Sequence, residues 1–270
     1  TIEEVYKALE NSEQYGGFTM WDFGMLYNAG EMTRFKPVDI LELKKAVDLW
    51  CNDRFSALKK YDHIAFWDTS LVTDMNDLFH DKETFNDDIS FWDVSKVTSM
   101  NCMFCGAKTF NRPLQGWDVS NVRNMLSMFD GATDFNQPLE GWNVSSVTTT
   151  GFMFWKATFY NQPLQGWDVS NVTNLSFMFC DATAFNQPLQ GWKVDSVTNM
   201  SGVFEGASSF NQPLEGWNVR GVKTMKFMFY NATTFDQPLG GWNVCSVKDV
   251  SDMFHGTTIL NCYPKWINKK

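Results

Sequence analysis

The sequence predicts a repeat solenoid: eight consecutive coils of 25 residues that stack behind a helical N-terminal cap. A tryptophan recurs every 25 residues, without insertion or deletion, from Trp67 to Trp242. Phenylalanine and valine keep the same phase, from Phe79 to Phe254 and from Val72 to Val247. Because a unit of this size cannot bury its apolar face alone, neighbouring units must stack, and in-phase residues become continuous columns.

Each coil divides into a turn and an extended segment. Apolar residues of the sixth coil follow one another at spacings of three, three, one and three: Val197, Met200, Val203, Phe204 and Ala207. This spacing predicts a short α or 3₁₀ turn. The next stretch, residues 210–219, contains Pro and Gly and ends in residues that favour β structure. We therefore predict a short extended segment there, parallel to its neighbours and bounded by turns.

Residues 1–61 break the period and form the predicted cap. Ile2–Leu9 has a helical pattern, and Pro37 is placed for the first turn of a second helix. One face of that second helix is apolar and covers the open end of the first coil: Leu43, Ala46, Val47 and Trp50. The predicted organisation is a helical cap at 1–61, the eight-coil solenoid at 62–262 and a basic C-terminal tail at 263–270.

The consensus of the coils resembles that of a known repeat family. It reads Phe-Asn-Gln-Pro-Leu-x-Gly-Trp-Asn/Asp-Val-Ser-x-Val-Thr-Asn-Met-x-x-Met-Phe-x-x-Ala and covers residues 62–262. This string is similar to the repeat of BspA-like bacterial surface proteins, and residues 42–53 and 63–68 resemble the cap of members from unicellular algae. The resemblance implies a coil like that of leucine-rich repeats, a surface or scaffold role, and no catalytic residues.

Composition and charge exclude several functions. The formal net charge of −9 argues against a nucleic-acid groove, which needs clustered Lys and Arg. No apolar run approaches the roughly 18 residues that suggest a membrane span, so we expect a soluble chain. His80 and His255 share a column but lie seven coils apart, and His63 is in another phase. Since no catalytic triad can be assembled from them, we expect no catalytic and no cofactor-binding residue.

Aromatic residues fill the variable columns in the middle of the chain. Two outward columns and one further position in the fourth coil hold the candidate partner-binding residues: Phe152, Trp155, Phe159, Phe177, Phe227 and Tyr230. Rings at outward positions indicate a contiguous apolar patch, and such patches usually mark a partner surface. The competing interpretation is a rotated turn whose rings only thicken the core.

An alternative site combines two neighbouring coils. Cys102 and Cys105 form a CxxC motif, and Asp77 and His80 occupy the same two columns one coil earlier. If the coils stack in register, these four side chains could face one zinc ion or support redox chemistry. The competing interpretation is exposed polar surface, because the variable columns of a solenoid face solvent.

Two further patterns concern the surface. Five sequons permit glycosylation, and the repeat consensus generates most of them: Asn143, Asn171, Asn174, Asn199 and Asn231. The acid pair Asp87–Asp88 recurs in no other coil, and we interpret it as a solvated corner.

Three functional hypotheses follow from these patterns. The leading one is a non-enzymatic interaction or scaffold module that binds a protein or glycan partner at a cell surface, or as a peripheral subunit of a large assembly. Its expected location is extracellular, at the cell surface, or in an organelle lumen. The second hypothesis is the metal-binding or redox site above. The third is a structural protein of a wall or filament that associates with itself.

Overall fold

The computed structural model describes residues 34–259 and 264–267. The chain divides into two compact units, Thr1–Phe35 and Lys36–Lys270. The first unit, with the predicted helix Ile2–Leu9, lies almost wholly outside the described residues. In its described residues, the second unit contains two helices, a 3₁₀ turn at Ile64–Phe66 and the repeats.

The first helix, α1, spans Ile40–Asn52 and buries the four residues that its apolar face predicts: Leu43, Ala46, Val47 and Trp50. Its N-cap is Asp39, whose carboxylate accepts a hydrogen bond from the backbone N–H of Glu42 at 2.9 Å. Pro37 therefore precedes the helix, and the prediction that it occupies the first turn was wrong. Asp39 determines the start because its side chain satisfies an N–H group that has no partner within the helix.

The second helix, α2, spans Arg54–Tyr61 and begins at Asp53. The Asp53 carboxylate accepts hydrogen bonds from the backbone N–H of Ser56 at 3.1 Å and from its hydroxyl at 2.6 Å. The backbone N–H of Asp53 donates to the carbonyl of Leu49, so this one residue ends α1 and begins α2.

The two helices are held on the first repeat by Asp87, which is buried. Its carboxylate accepts a hydrogen bond from the Trp50 indole N–H at 2.8 Å and forms an ion pair with Arg54 at 2.6 Å. The interpretation of Asp87 as a solvated corner was therefore wrong. A buried carboxylate requires such partners, and here they come from the helices rather than from the repeats.

The repeats are numbered from the tryptophan that begins each one, so that repeat 1 is residues 67–91 and repeat 8 begins at Trp242. One parallel bridge joins each repeat to the next, always between residues 25 positions apart, from Asp74↔Ser99 to Thr224↔Asp249. In the sixth and seventh repeats the bridge is Asn199↔Thr224, and residues 210–219 carry none. The predicted extended segment thus lies off the bridge, because the backbone there bonds to side chains: the N–H of Asn211 donates to the Asn186 side chain.

The backbone of each turn alternates between two sets of hydrogen bonds. In repeat 4, the N–H groups of Phe152, Phe154 and Lys156 donate to carbonyls of repeat 5 at 2.8 to 2.9 Å. The intervening N–H groups of Met153 and Trp155 donate within the repeat to the carbonyl three residues earlier. Phe152 and Lys156 have φ angles of 58° and 56°, and the left-handed backbone at these positions prevents the turn from continuing as a helix.

Aromatic columns fill the core of the repeats. In-phase rings from Phe79 to Phe254 stack at centroid distances of 5.3 to 5.8 Å. A second column, from Phe85 to Phe235, stacks on the first at 3.9 to 4.1 Å within each repeat. These columns are buried, so they account for much of the apolar surface removed from water.

The tryptophan column adds directional bonds to this packing. The indole N–H of Trp167 donates to the carbonyl of Leu139, 28 residues earlier, at 2.9 Å, and the same bond recurs from Trp92 to Trp242. Near the chain end, Trp266 donates to the carbonyl of Leu239 at 3.1 Å, although it is one residue out of phase. These bonds fix each indole in register because a buried N–H without a partner is costly.

Candidate partner-binding face

The left-handed residues decide which side chains face outward. Phe152 and Trp155 are half-buried, whereas Met153 and Phe154 between them are buried in the core. The same division applies to Phe177 in repeat 5 and to Phe227 and Tyr230 in repeat 7, which are also half-buried. We call these five half-buried rings the aromatic face: Phe152, Trp155, Phe177, Phe227 and Tyr230.

The first cluster of the aromatic face lies in repeats 4 and 5. The Phe152 and Phe177 rings stack at a centroid distance of 4.9 Å with planes 20° apart. Trp155 is tilted by 58° against Phe152 at 5.5 Å, and the Lys156 ammonium lies 4.7 Å from the Trp155 ring centroid. The three rings therefore form one connected surface. Its charged group, the Lys156 ammonium, belongs to repeat 4, as Phe152 and Trp155 do.

Gly202 makes room for this cluster in repeat 6. A Cβ atom added at Gly202 would lie 2.3 Å from two atoms of the Phe177 ring and 3.1 Å from the Oε2 atom of Glu205. The Phe177 ring and the Glu205 carboxylate thus occupy the space that a side chain would fill in the other repeats. The absence of a side chain at this position lets Phe177 lean along the repeats toward repeat 6.

The second cluster lies in repeats 7 and 8. Phe227 and Tyr230 meet edge to face at 5.6 Å, and Tyr230 stacks on the His255 ring at 5.0 Å. The Lys226 ammonium lies 4.6 Å from the Phe227 ring centroid. Both clusters therefore combine rings with a lysine held over an aromatic face.

Phe159 stands apart from both clusters. Its side chain is 62 % exposed, more than any ring of the aromatic face, which is half-buried. Among the described residues no ring contact joins it to Trp155 or to any other aromatic side chain. Of the six candidates, the structure brings five into two clusters and leaves Phe159 alone. The rotated-turn interpretation does not describe these five rings, since the core positions are held by Met153, Phe154 and their equivalents.

Buried polar atoms border the first cluster. The indole N–H of Trp155 lies beside the Cys180 thiol, and the Oε2 atom of Glu205 is buried without a hydrogen-bond partner. Burial, and then the charge of Asp181, raises the pKa of Glu205. Within the described structure, no Lys, Arg or His nitrogen lies within 4 Å of the Glu205 or Asp181 carboxylate.

The other border of the first cluster is Asp130 in repeat 3. Burial raises the pKa of Asp130 to about 6, against the opposing charges of Lys156 and His80. The equivalent position in repeat 5 is Cys180, which is buried and whose pKa is raised by burial. The outward column thus runs from a carboxyl group through Trp155 and a thiol to the Glu205 carboxyl group.

The proposed zinc or redox set does not assemble. His80 contacts carboxylates of its own repeat, Asp77 at 3.7 Å and Asp81 at 3.5 Å, while the Cys102 thiol donates to the Asn101 side chain at 3.6 Å. In the part of the chain that the structure describes, no three His, Cys, Asp or Glu side chains are grouped so that they could hold a metal ion.

Electrostatics also opposes thiolate chemistry at the CxxC motif. Burial, and then the charge of Asp77, raises the pKa of Cys102. Burial, followed by the charge of Asp130, raises the pKa of Cys105 to about 12. Because the thiolate is the nucleophile and the metal ligand, these protonated thiols have the opposite tuning from a reactive pair.

The five sequons differ in accessibility. Asn143, Asn171 and Asn231 are exposed. Asn174 and Asn199 are half-buried members of the parallel bridges, and their side chains accept hydrogen bonds from backbone N–H groups two residues later. Exposure therefore favours the first three as acceptors for the predicted glycosylation.

Sequence reasoning missed several residues of this region. Lys156, Lys226, Gly202 and Glu205 were treated as ordinary variable positions, although each contacts a ring of the aromatic face or lies beside one. One signal was present for Gly202, because it is the glycine in a column that holds phenylalanine in the preceding and following repeats. Such an alternation indicates that one ring occupies its neighbour's space.

Tandem 25-residue units joined in register by parallel bridges define the class: a repeat protein. Two overlapping segments, residues 50–167 and 152–266, match the family described as "Mycoplasma protein of unknown function, DUF285". Together they cover most of the chain, and the chain belongs to this repeat family. A comparison with curated proteins finds no match. Within the described residues, no helix is long and apolar enough to cross a membrane.

Proposed function

We propose that the chain is a non-enzymatic interaction or scaffold module, a leucine-rich-repeat-like solenoid whose aromatic face binds a protein partner. The observation that carries the proposal is the pair of clusters of half-buried rings, one in repeats 4 and 5 and one in repeat 7. Aromatic side chains are enriched in the cores of protein interfaces and often supply most of the binding energy. A surface of this kind requires no catalytic residue.

Two features favour a protein over a glycan as the partner. A sugar ring needs an open aromatic face to stack on, whereas Lys156 lies over the Trp155 ring and Phe152 and Phe177 stack on each other. A protein side chain can instead pack against the ring edges that remain open. The glycan is therefore the alternative outcome of the test.

The finer family assignment and the location belong to the same proposal. The repeat consensus is similar to that of BspA-like surface proteins, and exposed sequons at Asn143, Asn171 and Asn231 are compatible with a secretory route. An extracellular, cell-surface or luminal module fits these features, as does a peripheral subunit of a larger assembly.

The test replaces Phe152, Trp155 and Phe177 together by Ser. Wild type and variant are used to capture proteins from an extract of the source organism, and the captured proteins are quantified by mass spectrometry. We expect the triple variant to lose the specific partner and to remain cooperatively folded at a lowered unfolding temperature, because three half-buried rings are lost while the buried columns are untouched. Phe91→Ser is the matched control, since Phe91 is 58 % exposed and lies in repeat 1.

Two results would overturn the proposal. Unchanged capture by the triple variant would remove the aromatic face as the binding surface. Size-exclusion chromatography that shows self-association of the wild type, abolished in the triple variant, would assign the face to a second copy of the chain and support the wall or filament hypothesis instead.

A further inference from the structure

The charges around the aromatic face are predominantly negative. In repeats 3 to 8, the two columns of the aromatic face and the position directly after Trp155 carry four carboxylates, against the two lysines that lie over its rings, Lys156 and Lys226: Asp130, Asp181, Glu205 and Asp252. The whole chain carries a formal net charge of −9. A second copy of the chain or an acidic partner would meet like charge across this face, which opposes association.

Two of these carboxylates, Asp181 and Glu205, border the first cluster. The Asp181 backbone N–H donates to the Glu205 carbonyl at 2.7 Å, so the two residues are neighbours in adjacent repeats. Their charges repel each other, and in the described part of the chain no Lys, Arg or His nitrogen lies within 4 Å of either carboxylate. The Oε2 atom of Glu205 is left without a hydrogen-bond donor beside the Phe177 ring.

The rings themselves already act as cation acceptors. Lys156 and Lys226 each hold an ammonium group within 5 Å of a ring centroid of the face, at 4.7 and 4.6 Å. Ring faces beside carboxylates are the surroundings that a guanidinium group prefers, since it stacks on the ring and donates paired hydrogen bonds to the carboxylate.

Resting on the proposed function, we infer that the partner presents a basic segment, with an arginine or lysine seated between Asp181 and Glu205 against the Phe177 ring. Its apolar side chains contact Phe152 and Trp155, and its positive charge complements the face. From repeat 4 to repeat 7 the face covers three steps of about 4.8 Å, roughly 14 Å, which an extended basic segment of about five residues spans.

The probe is a fluorescently labelled peptide of about twelve residues, roughly 40 Å when extended, in which arginine alternates with leucine. Its counterpart has glutamate in place of every arginine. Anisotropy titrations measure binding to the full chain at two salt concentrations. We expect the arginine peptide to bind, with an affinity that falls as salt rises, and the glutamate peptide not to bind.

The decisive comparison uses two variants that remove the same charge. Asp181→Asn with Glu205→Gln neutralises the pair at the face and is expected to weaken arginine-peptide binding by about tenfold or more, the range for a lost charge-assisted bond. Asp118→Asn with Asp168→Asn neutralises two exposed carboxylates that lie in a different column, and binding is expected to stay within about twofold.

Equal weakening in both double variants, or binding of the glutamate peptide, would overturn the inference. The native partner separates this failure from failure of the proposed function. If Phe152, Trp155 and Phe177 are needed for capture but Asp181 and Glu205 are not, the basic segment is wrong and the aromatic face stands. If the ring variant still captures the partner, the proposed function itself fails.

Discussion

Tyr160 occupies a column that phenylalanine fills in repeats 1 to 3 and 5 to 7. Its ring stacks on Phe154 at 4.1 Å and is wholly buried, but its hydroxyl group has no hydrogen-bond partner. Burial accordingly raises the pKa of Tyr160. The ring contributes to the core as phenylalanine would, whereas the buried hydroxyl is destabilising.

Tyr160→Phe is therefore expected to raise the free energy of unfolding by about 1 kcal/mol, since it removes an unsatisfied buried hydroxyl and leaves the ring stack intact. Urea unfolding followed by tryptophan fluorescence measures the change. Phe135→Tyr introduces the same hydroxyl one repeat earlier and should lower stability by a similar amount. A destabilised Tyr160→Phe variant would show that the hydroxyl has a partner in solution.

Asp130 gives the molecule a pH-dependent stability. Its folded-state pKa is raised to about 6 from 3.8, so the protonated form favours the fold. This contribution is full below about pH 4 and is lost as the pH rises through 6. Asp130→Asn mimics the protonated form and should be more stable than wild type at pH 7.5 and equal to it near pH 4. Because Asp130 is only half-buried, screening reduces the gain to roughly 1 kcal/mol.

Unfolding of both proteins in urea at several pH values tests this assignment. Asp134→Asn removes an exposed carboxylate from the same repeat and serves as the control. A pH-dependent gain of the same size in both variants would mean that the overall negative charge, rather than burial of Asp130, is responsible.

At the scale of one repeat, several outward side chains lie over a glycine of the following repeat, and this arrangement shapes the aromatic face. Phe177 leans over Gly202 in the next repeat, and the same relation joins Asp81 to Gly106, Asp181 to Gly206 and Asn231 to Gly256. In each pair a residue with left-handed backbone is followed, 25 positions on, by glycine. The position of one outward side chain therefore depends on the residue in the following repeat.

Gly202→Ala places a methyl group where the Phe177 ring lies, so the ring must move away from Glu205. We expect partner capture and arginine-peptide binding to weaken several-fold, with a loss of stability of about 1 to 3 kcal/mol from overpacking. Gly191→Ala is the control, because nothing lies within 4 Å of a Cβ atom at that position. If Gly202→Ala binds normally, the position of the Phe177 ring is not required for partner capture or peptide binding.

The period of the sequence predicts which residues meet across repeats, because a fixed spacing of 25 brings equal positions side by side. Phe104, for example, stacks on Phe129 at 5.4 Å. The period does not predict how a side chain is oriented within its column. The left-handed φ of Cys102, 53°, and the carboxylates near it separate the CxxC motif from its predicted zinc chemistry, and neither follows from spacing alone.

Residues outside the period were predicted least well. Asp87 is buried because Trp50 and Arg54 reach it from the helices, and these partners have no equivalent in later repeats. The rings of the aromatic face were predicted as outward residues from their variation between repeats, and they are half-buried. The lysines over them were missed because a cation–π contact depends on side-chain direction, which the aligned repeat sequences do not reveal.

At the scale of the whole molecule, stability and binding reside in different parts of each repeat. The buried columns and the bonds between neighbouring repeats recur almost unchanged, so the free energy of folding is approximately a sum over repeats and their interfaces. The outward positions vary freely around this framework. A repeat without partner-binding rings can therefore be removed without loss of the binding surface.

Deletion of residues 117–141 removes repeat 3 and joins Gly116 to Trp142, which preserves the 25-residue phase. We expect this protein to fold, to unfold at a lower urea concentration because one interface between repeats is lost, and to capture its partner through Phe152, Trp155 and Phe177. Deletion of residues 117–140 leaves one additional residue, which shifts every later tryptophan out of phase with Trp92. This second protein should lose cooperative unfolding. If the two deletions behave alike, stacking in strict register is not what holds the repeats together.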